Sequence, residues 1–172
     1  MTTPPQPAEA TPRFQSRNGA GDRTEPRERL APYMLLNGVY AAALGAFVWR
    51  FRGRLPEEIS PRDLALIGVA SHKTSRTIAK DKVTAPLRAP FTDHEGDGGP
   101  GELEESPRGE GLRHTVGELL VCPFCLDQWV ATGYAAGLVV APRATRFVAS
   151  IMATVAISDF LQIGYKASEQ RL

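Results

Sequence analysis

The chain has 172 residues, 42% hydrophobic and 23% charged, with a formal net charge of +1. Its length bounds it to one domain or two small ones. The near-zero charge argues against a nucleic-acid binder held by global charge, and two cysteines exclude a disulfide-rich secreted scaffold.

Residues 1–29 carry five Arg and four acids and almost no large apolar side chains. Such a segment cannot bury enough surface to offset its chain entropy, which predicts a disordered tail. From Pro32 to Trp49 no residue is charged. At 1.5 Å per residue this stretch is about 27 Å long, close to the hydrocarbon thickness of a bilayer. Tyr33 and Trp49 stand at its ends, where amphipathic rings favour the interface, and Arg50, Arg52 and Arg54 follow as a positive anchor. A first span over about 32–50 is predicted. An N-terminal signal peptide is the alternative for this segment, disfavoured by the long polar lead before it.

Ser60 and Pro61 are an N-cap and first-turn signal for a helix over about 61–80. His72, Arg76 and Lys80 recur at i, i+4 and i+8 and so share one face, opposite a mostly apolar one. The expectation is an amphipathic helix at the membrane surface. Pro86-Leu87-Arg88-Ala89-Pro90 reads as rigid and extended. Residues 92–111 are acidic and rich in Gly and Pro, which predicts a flexible acidic loop. Within it Asp93, Glu95, Asp97, Gly98 and Glu104 match positions 1, 3, 5, 6 and 12 of a calcium-binding EF-hand loop. Glu at position 3, Pro100 at position 8 and flanking Pro90 and Pro107 mark this as a coincidence of composition.

Two further apolar runs follow, with a turn at Pro142-Arg143 between them. They predict spans over about 119–141 and 146–165, with Gly133, Gly137, Ala135, Ala136, Ala149 and Ala153 permitting close helix approach. The predicted fold class is therefore all-α: an integral membrane domain over 30–172 with three spans, an amphipathic helix, and a disordered tail before it. A soluble bundle of unusually apolar helices is the alternative. Three spans place 50–117 in the cytoplasm; if 62–80 also crosses, four spans still place 81–117, Lys166 and Arg171 there.

Two pairs of residues carry candidate chemistry. Cys122-Pro-Phe-Cys125 opens the second apolar run, where a helix N-terminus favours thiolate. It reads as a thiol redox pair, as half of a metal site or as a structural helix start. The metal reading needs two more ligands, for which His72, His94, His114 and Asp127 are the weak candidates. At the cytoplasmic end of a span the resting state should be dithiol. Asp127 and Asp159 lie at similar distances from the turn at Pro142, about 22 and 26 Å along their helices. Acids at such depth usually face a partner. His72, Lys73 or Arg76 would supply it, which predicts a buried charge network of Asp127, Asp159, His72 and Arg76.

Three motifs in succession carry a family resemblance. They are His72-Lys73-Thr74-Ser75-Arg76, then the run from Lys80 through Thr84-Ala85-Pro86-Leu87-Arg88 to Phe91, then Gly117-Glu118-Leu119-Leu120-Val121-Cys122-Pro123-Phe124-Cys125-Leu126 with Trp129. Over roughly residues 60–166 the chain resembles domain of unknown function 1360, an uncharacterised bacterial family that includes a sporulation membrane protein. The resemblance implies a small multi-pass protein of the bacterial inner membrane with no established activity. The functional expectation is a non-enzymatic scaffold or accessory subunit that needs no cofactor. Its partners are the lipid bilayer and, at residues 72–91, a protein or anionic lipid, with no nucleic acid involved. The alternative is a thiol redox or metal-binding membrane protein using Cys122 and Cys125.

Overall fold

Among the described residues, six α-helices and a short β-hairpin make up the fold. The computed structural model describes residues 26–170, so the first 25 residues of the predicted tail lie outside the described residues. The elements are α1 (Pro26–Phe51), α2 (Pro61–Lys80), a 3₁₀ turn (Lys82–Thr84), α3 (Ala85–Arg88), β1 (Thr92–Asp97), β2 (Leu103–Pro107), α4 (Gly111–Val121), α5 (Pro123–Val140) and α6 (Pro142–Glu169). Helix α1 starts before the predicted boundary at residue 30.

Among the described residues two helices are long and apolar enough to cross a membrane, Leu30–Phe51 and Pro142–Glu169, where three were expected. The missing one is the run 119–141. It is broken at Cys122, whose extended backbone ends α4 and caps α5. Pro123 has no N–H to continue α4 and takes the first turn of α5. Asp127 and Gln128 then lower the apolar character of the 18 residues that remain.

Helix α2 begins at the Ser60 cap, whose Oγ accepts from the Asp63 amide at 3.1 Å. It is the central helix and packs most extensively on α6 and α5. Its course follows from its partners. Asp63 pairs with Arg146 and Lys73 with Asp159, so α2 and α6 run in the same direction. Ala141 alone joins α5 to α6, and a Cβ on Gly137 would stand 2.6 Å from Thr145 Oγ1, so those two helices are antiparallel and close at their junction. Tyr33 bonds to Glu118 of α4, and Tyr40 bonds to Thr132 and stacks edge-on against Trp129 of α5. Helix α1 therefore runs with α4 and α5. The four long helices α1, α2, α5 and α6 alternate in direction.

The buried side chains at the helix seams are mostly small: Ala70, Ser71, Ser75 and Ala79 of α2, and Ala149, Ala153 and Ala156 of α6, with Ile67 and Leu126 as the large apolar exceptions. Large apolar side chains face outward instead, among them Met34, Trp49, Phe147, Phe160 and Leu161, each about two-thirds or more exposed. No described side chain of α1 is buried. Soluble domains distribute side chains the other way round. Small residues at the seam and large ones outside suit helices packed in an apolar solvent, where close backbone approach is the main source of cohesion.

The acidic segment is neither a flexible loop nor helical. Strands β1 and β2 pair antiparallel from Thr92↔Pro107 to Asp97↔Leu103, with a bulge between His94 and Gly96. Gly101 takes φ +80° in the connecting turn, a conformation open to glycine at little steric cost. The hairpin end docks on the chain after α2: Lys82 N donates to Gly101 O at 2.9 Å, and Asp81 bridges to Glu102. The fold class is thus helical with a small two-stranded sheet. The segment 86–90 is no extended peptide either, since its first half is the helical turn α3.

Candidate functional site

The three sequence motifs meet at one end of the helices. The second motif builds a cap on α2. Thr84 Oγ1 donates to Thr77 O at 2.5 Å, and the Arg88 guanidinium donates to Ile78 O at 2.6 Å, to Asp81 O at 3.2 and 3.3 Å, and to Thr84 Oγ1 at 2.6 Å. These bonds take up carbonyls that a helix C-terminus leaves without intrahelical partners. The remaining Arg88 donor goes to Glu105 of β2, and that carboxylate also accepts from Thr92 Oγ1 at 3.1 Å. Arg88 is 1% and the Glu105 side chain 6% exposed. A buried ion pair this completely bonded ties α2, α3 and both strands into one unit. Arg88 falls within the surface expected to meet a partner, residues 72–91, and no sequence signal marks it or Glu105 as half of a buried pair. The buried carboxylate had no signal that set it apart from its neighbours in the acidic run.

The third motif joins the second at Gly117. A Cβ there would stand 2.5 Å from Phe91 O and 3.1 Å from Pro107 Cβ, so α4 can lie against the hairpin only with glycine at this position. Phe91 O accepts instead from the Arg108 amide at 2.8 Å.

The first motif faces three directions. Lys73 Nζ lies 2.9 Å from Asp159 and 3.7 Å from Asp81. Thr74 bonds to Tyr134 at 2.9 Å, and Ser75 Oγ donates to Asp127 at 3.2 Å. Asp127 and Asp159 thus both meet α2, two residues apart along it. Of the predicted network, His72 and Arg76 are not brought to either acid. Each helix position is rotated by about 100° from the next, so the neighbours Lys73 and Ser75 face α6 and α5. His72 is exposed, and Arg76 reaches the hairpin with bonds of 2.7 and 2.9 Å to Glu102.

Basic side chains of the expected partner surface, 72–91, are covered by acids of the hairpin. Arg76 pairs with Glu102, Lys80 with Glu104 at 3.0 Å, and Lys82 with Asp97 at 2.7 Å. Arg108 pairs with Asp93 across the base of the strands. Its bonds hold the Asp93 carboxyl below the usual carboxylate range, and the Lys82 ammonium does the same for Asp97. The residues of the apparent EF-hand are spent on these contacts and on a Glu95–Ser106 bond.

Cys122 and Cys125 lie at disulfide-bonding distance, with Cα atoms 5.3 Å apart. Cys122 Sγ accepts from the Cys125 amide at 3.2 Å, capping α5. The metal alternative needs His72, His94, His114 or Asp127 beside them. Among the described residues no three His, Cys, Asp or Glu side chains form a metal-holding group, and His114 instead faces Glu118 at 3.5 Å on its own helix. At the opposite end, Ser60, Arg62, Asp63, Leu66, Arg146 and Ser150 line an open cleft of about 330 Å³ around the bidentate Asp63–Arg146 pair.

The sequence profile of a family described as a protein of unknown function (DUF1360) matches residues 66–165. That span contains all three motifs and the hairpin. The chain is also similar to sporulation protein YjcA of Bacillus subtilis (strain 168), at 26% identity over 102 residues, which is 58% of this chain and 86% of that protein. No solved structure matches.

Proposed function

The chain belongs to the DUF1360 family, and from that premise we propose that it is a multi-pass protein of the bacterial inner membrane, a non-enzymatic scaffold or accessory subunit. Helices α1, α2, α5 and α6 cross the bilayer in alternating directions. The hairpin with α3 and α4 forms a polar module held at the cytoplasmic surface. One observation carries this reading: large apolar side chains on α1 and α6 point outward while the helix seams are lined by Ala, Ser and Gly. Helix α5 has 18 residues, about 27 Å, and turns directly into α6. Any arrangement that inserts α6 therefore carries α5 with it, and α2 lies between them. Among residues 30–170, eight Lys and Arg belong to the module end and six to the other, and five more Arg precede residue 30, which favours a cytoplasmic module.

The surface offered to a partner is the composite of residues 72–91 and the two strands, already charge-paired within itself. A protein docking there meets a rigid, nearly neutral platform. The name of the Bacillus subtilis relative ties that protein to sporulation and names no reaction. Two measurements test the reading. The untagged chain should sediment with membranes and resist alkaline extraction, and native co-purification should recover a partner that the Arg88→Met variant loses. Recovery of the chain in the soluble fraction overturns it.

A second reading has its own observation, the Cys122–Cys125 approach at the exposed start of α5. It makes this pair a thiol–disulfide site. Alkylation of the chain in intact cells tests it: two thiols labelling no faster than those of an unfolded control remove it.

A further inference from the structure

The short turn after α2 has its polarity reversed for a segment facing water. Thr84 and Arg88 point inward to the α2 carbonyls, while Val83 and Leu87, four residues apart, are 81% and 73% exposed. Nothing in the polar module covers them. The cations beside them, Lys80 and Lys82, are already neutralised by Glu104 and Asp97.

The level of this turn along the helices follows from contacts already described. Lys73 is level with Asp159, and α2 and α6 run together, so Lys80 lies near the level of Lys166, seven residues further on in each. Ser75 is level with Asp127 on antiparallel α5, so Ile78 lies near the level of Phe124. Arg88 holds α3 against Ile78 O. Four exposed apolar or aromatic side chains thereby share one depth on different elements: Val83, Leu87, Phe124 at 90% exposure and Tyr165. Aromatic and apolar residues collect in this way where acyl chains meet headgroups.

We propose that the turn over residues 82–88 is a membrane-surface anchor, with Val83 and Leu87 inserted into the boundary between acyl chains and headgroups. This rests on the multi-pass reading above. The turn fixes the height of the polar module over the bilayer, because Arg88 and Thr84, between and beside the two anchors, bind α2 and the hairpin at once. Insertion is apolar and draws no strength from lipid charge, since the adjacent ammonium groups are paired.

The test places single tryptophans in the full chain, with Trp49 and Trp129 replaced by Phe, reconstituted in vesicles of brominated phosphatidylcholine. Phe160→Trp reports the lipid-facing surface of α6 and His94→Trp the exposed strand. Val83→Trp and Leu87→Trp are expected to be quenched to an extent comparable with Phe160→Trp, and equally so when anionic lipid is added, while His94→Trp is not quenched. Quenching at 160 with none at 83 and 87 overturns the anchor and leaves the multi-pass reading standing; that pattern points to a protein partner on the turn. Quenching that appears at 83 and 87 only with anionic lipid overturns the apolar mechanism. No quenching at 160 removes the multi-pass reading and the anchor with it. Should one anchor variant fail to accumulate, the other gives the same readout.

Discussion

The helical bundle and the polar module hold together by opposite means. All seven buried apolar residues among those described lie in α2, α5 and α6, and five of them are alanine. The module, from residue 81 to the end of α4, buries the side chains of Arg88, Thr92 and Thr115 and no apolar side chain. A two-stranded hairpin in water is marginal by itself, and one this short has too little apolar surface for a core. Its order therefore depends on a fully bonded guanidinium–carboxylate pair with a fringe of exposed ion pairs. In lipid the hydrophobic effect between helices vanishes, and close approach of small residues takes over. On the multi-pass reading proposed above, one chain uses two kinds of cohesion, divided along the plane where water meets lipid.

The largest expected effect breaks the module and spares the bundle. Arg88→Met leaves Glu105 buried without its partner, a change that costs about 3–5 kcal/mol in comparable sites. Limited proteolysis of membranes should then cleave residues 92–107 rapidly while α5 and α6 stay protected. Equal resistance in the variant and the natural chain would show that the ion pair does not hold the hairpin. Gly117→Ala comes next. Its Cβ would meet Phe91 O at 2.5 Å, and overpacking of that kind costs about 1–3 kcal/mol. Gly133→Ala is the control, since nothing lies within 4 Å of a Cβ there. A thermal melt in detergent should drop for the first and stay for the second.

The same division explains what the sequence disclosed. Apolar runs with little or no charge announce helices at 32–50 and 146–165, because outward-facing and core-facing positions are both largely apolar. The Ser60-Pro61 start of α2 is local chemistry and equally legible. The hairpin was not. Its acids carry no alternation of apolar and polar residues, since its strands pair with Arg76, Lys80 and Lys82 rather than with an apolar layer. Gly and Pro in that stretch signal a loop, and what orders it is contact across about 20 residues of sequence. The break at Cys122 was hidden by a continuous apolar run, although Pro123 was there to mark it. For the acids of α5 and α6, distance from the turn at Pro142 gave their shared depth. It could not say which neighbours on α2 face them, because a rotation of one residue separates Lys73 from His72.

A smaller effect sharpens the boundary between the two regions. Lys73 sits where they meet, 12% exposed, between Asp159 of the bundle and Asp81 of the module. Asp159 is 43% exposed, so screening limits the pair, and Asp159→Asn should cost about 1 kcal/mol or less. Lys73→Met should cost more than Asp159→Asn, because it leaves two carboxylates facing each other. A double-mutant cycle on detergent-extracted stability measures the difference. Equal losses would mean that Asp81 takes no part.

Acid should loosen the module, and by the least. The Arg108 bonds to Asp93 and the Lys82 bond to Asp97 depress both carboxyl pKa values in the folded chain. A depressed acid contributes stability that is present above its unfolded pKa, about 3.9, and is lost as pH falls through the folded value. The window thus opens near pH 4 and extends below it. Both groups are exposed, so high salt screens the same contacts at neutral pH. Amide exchange across β1 and β2 is expected to accelerate below pH 4, after correction for intrinsic rates, and to accelerate in molar salt at pH 7. Exchange in α5 should follow neither change, since among the described residues no ion pair ties that helix to its neighbours. Exchange in α5 that rises together with that of the strands would mean that the module and the bundle unfold as one unit.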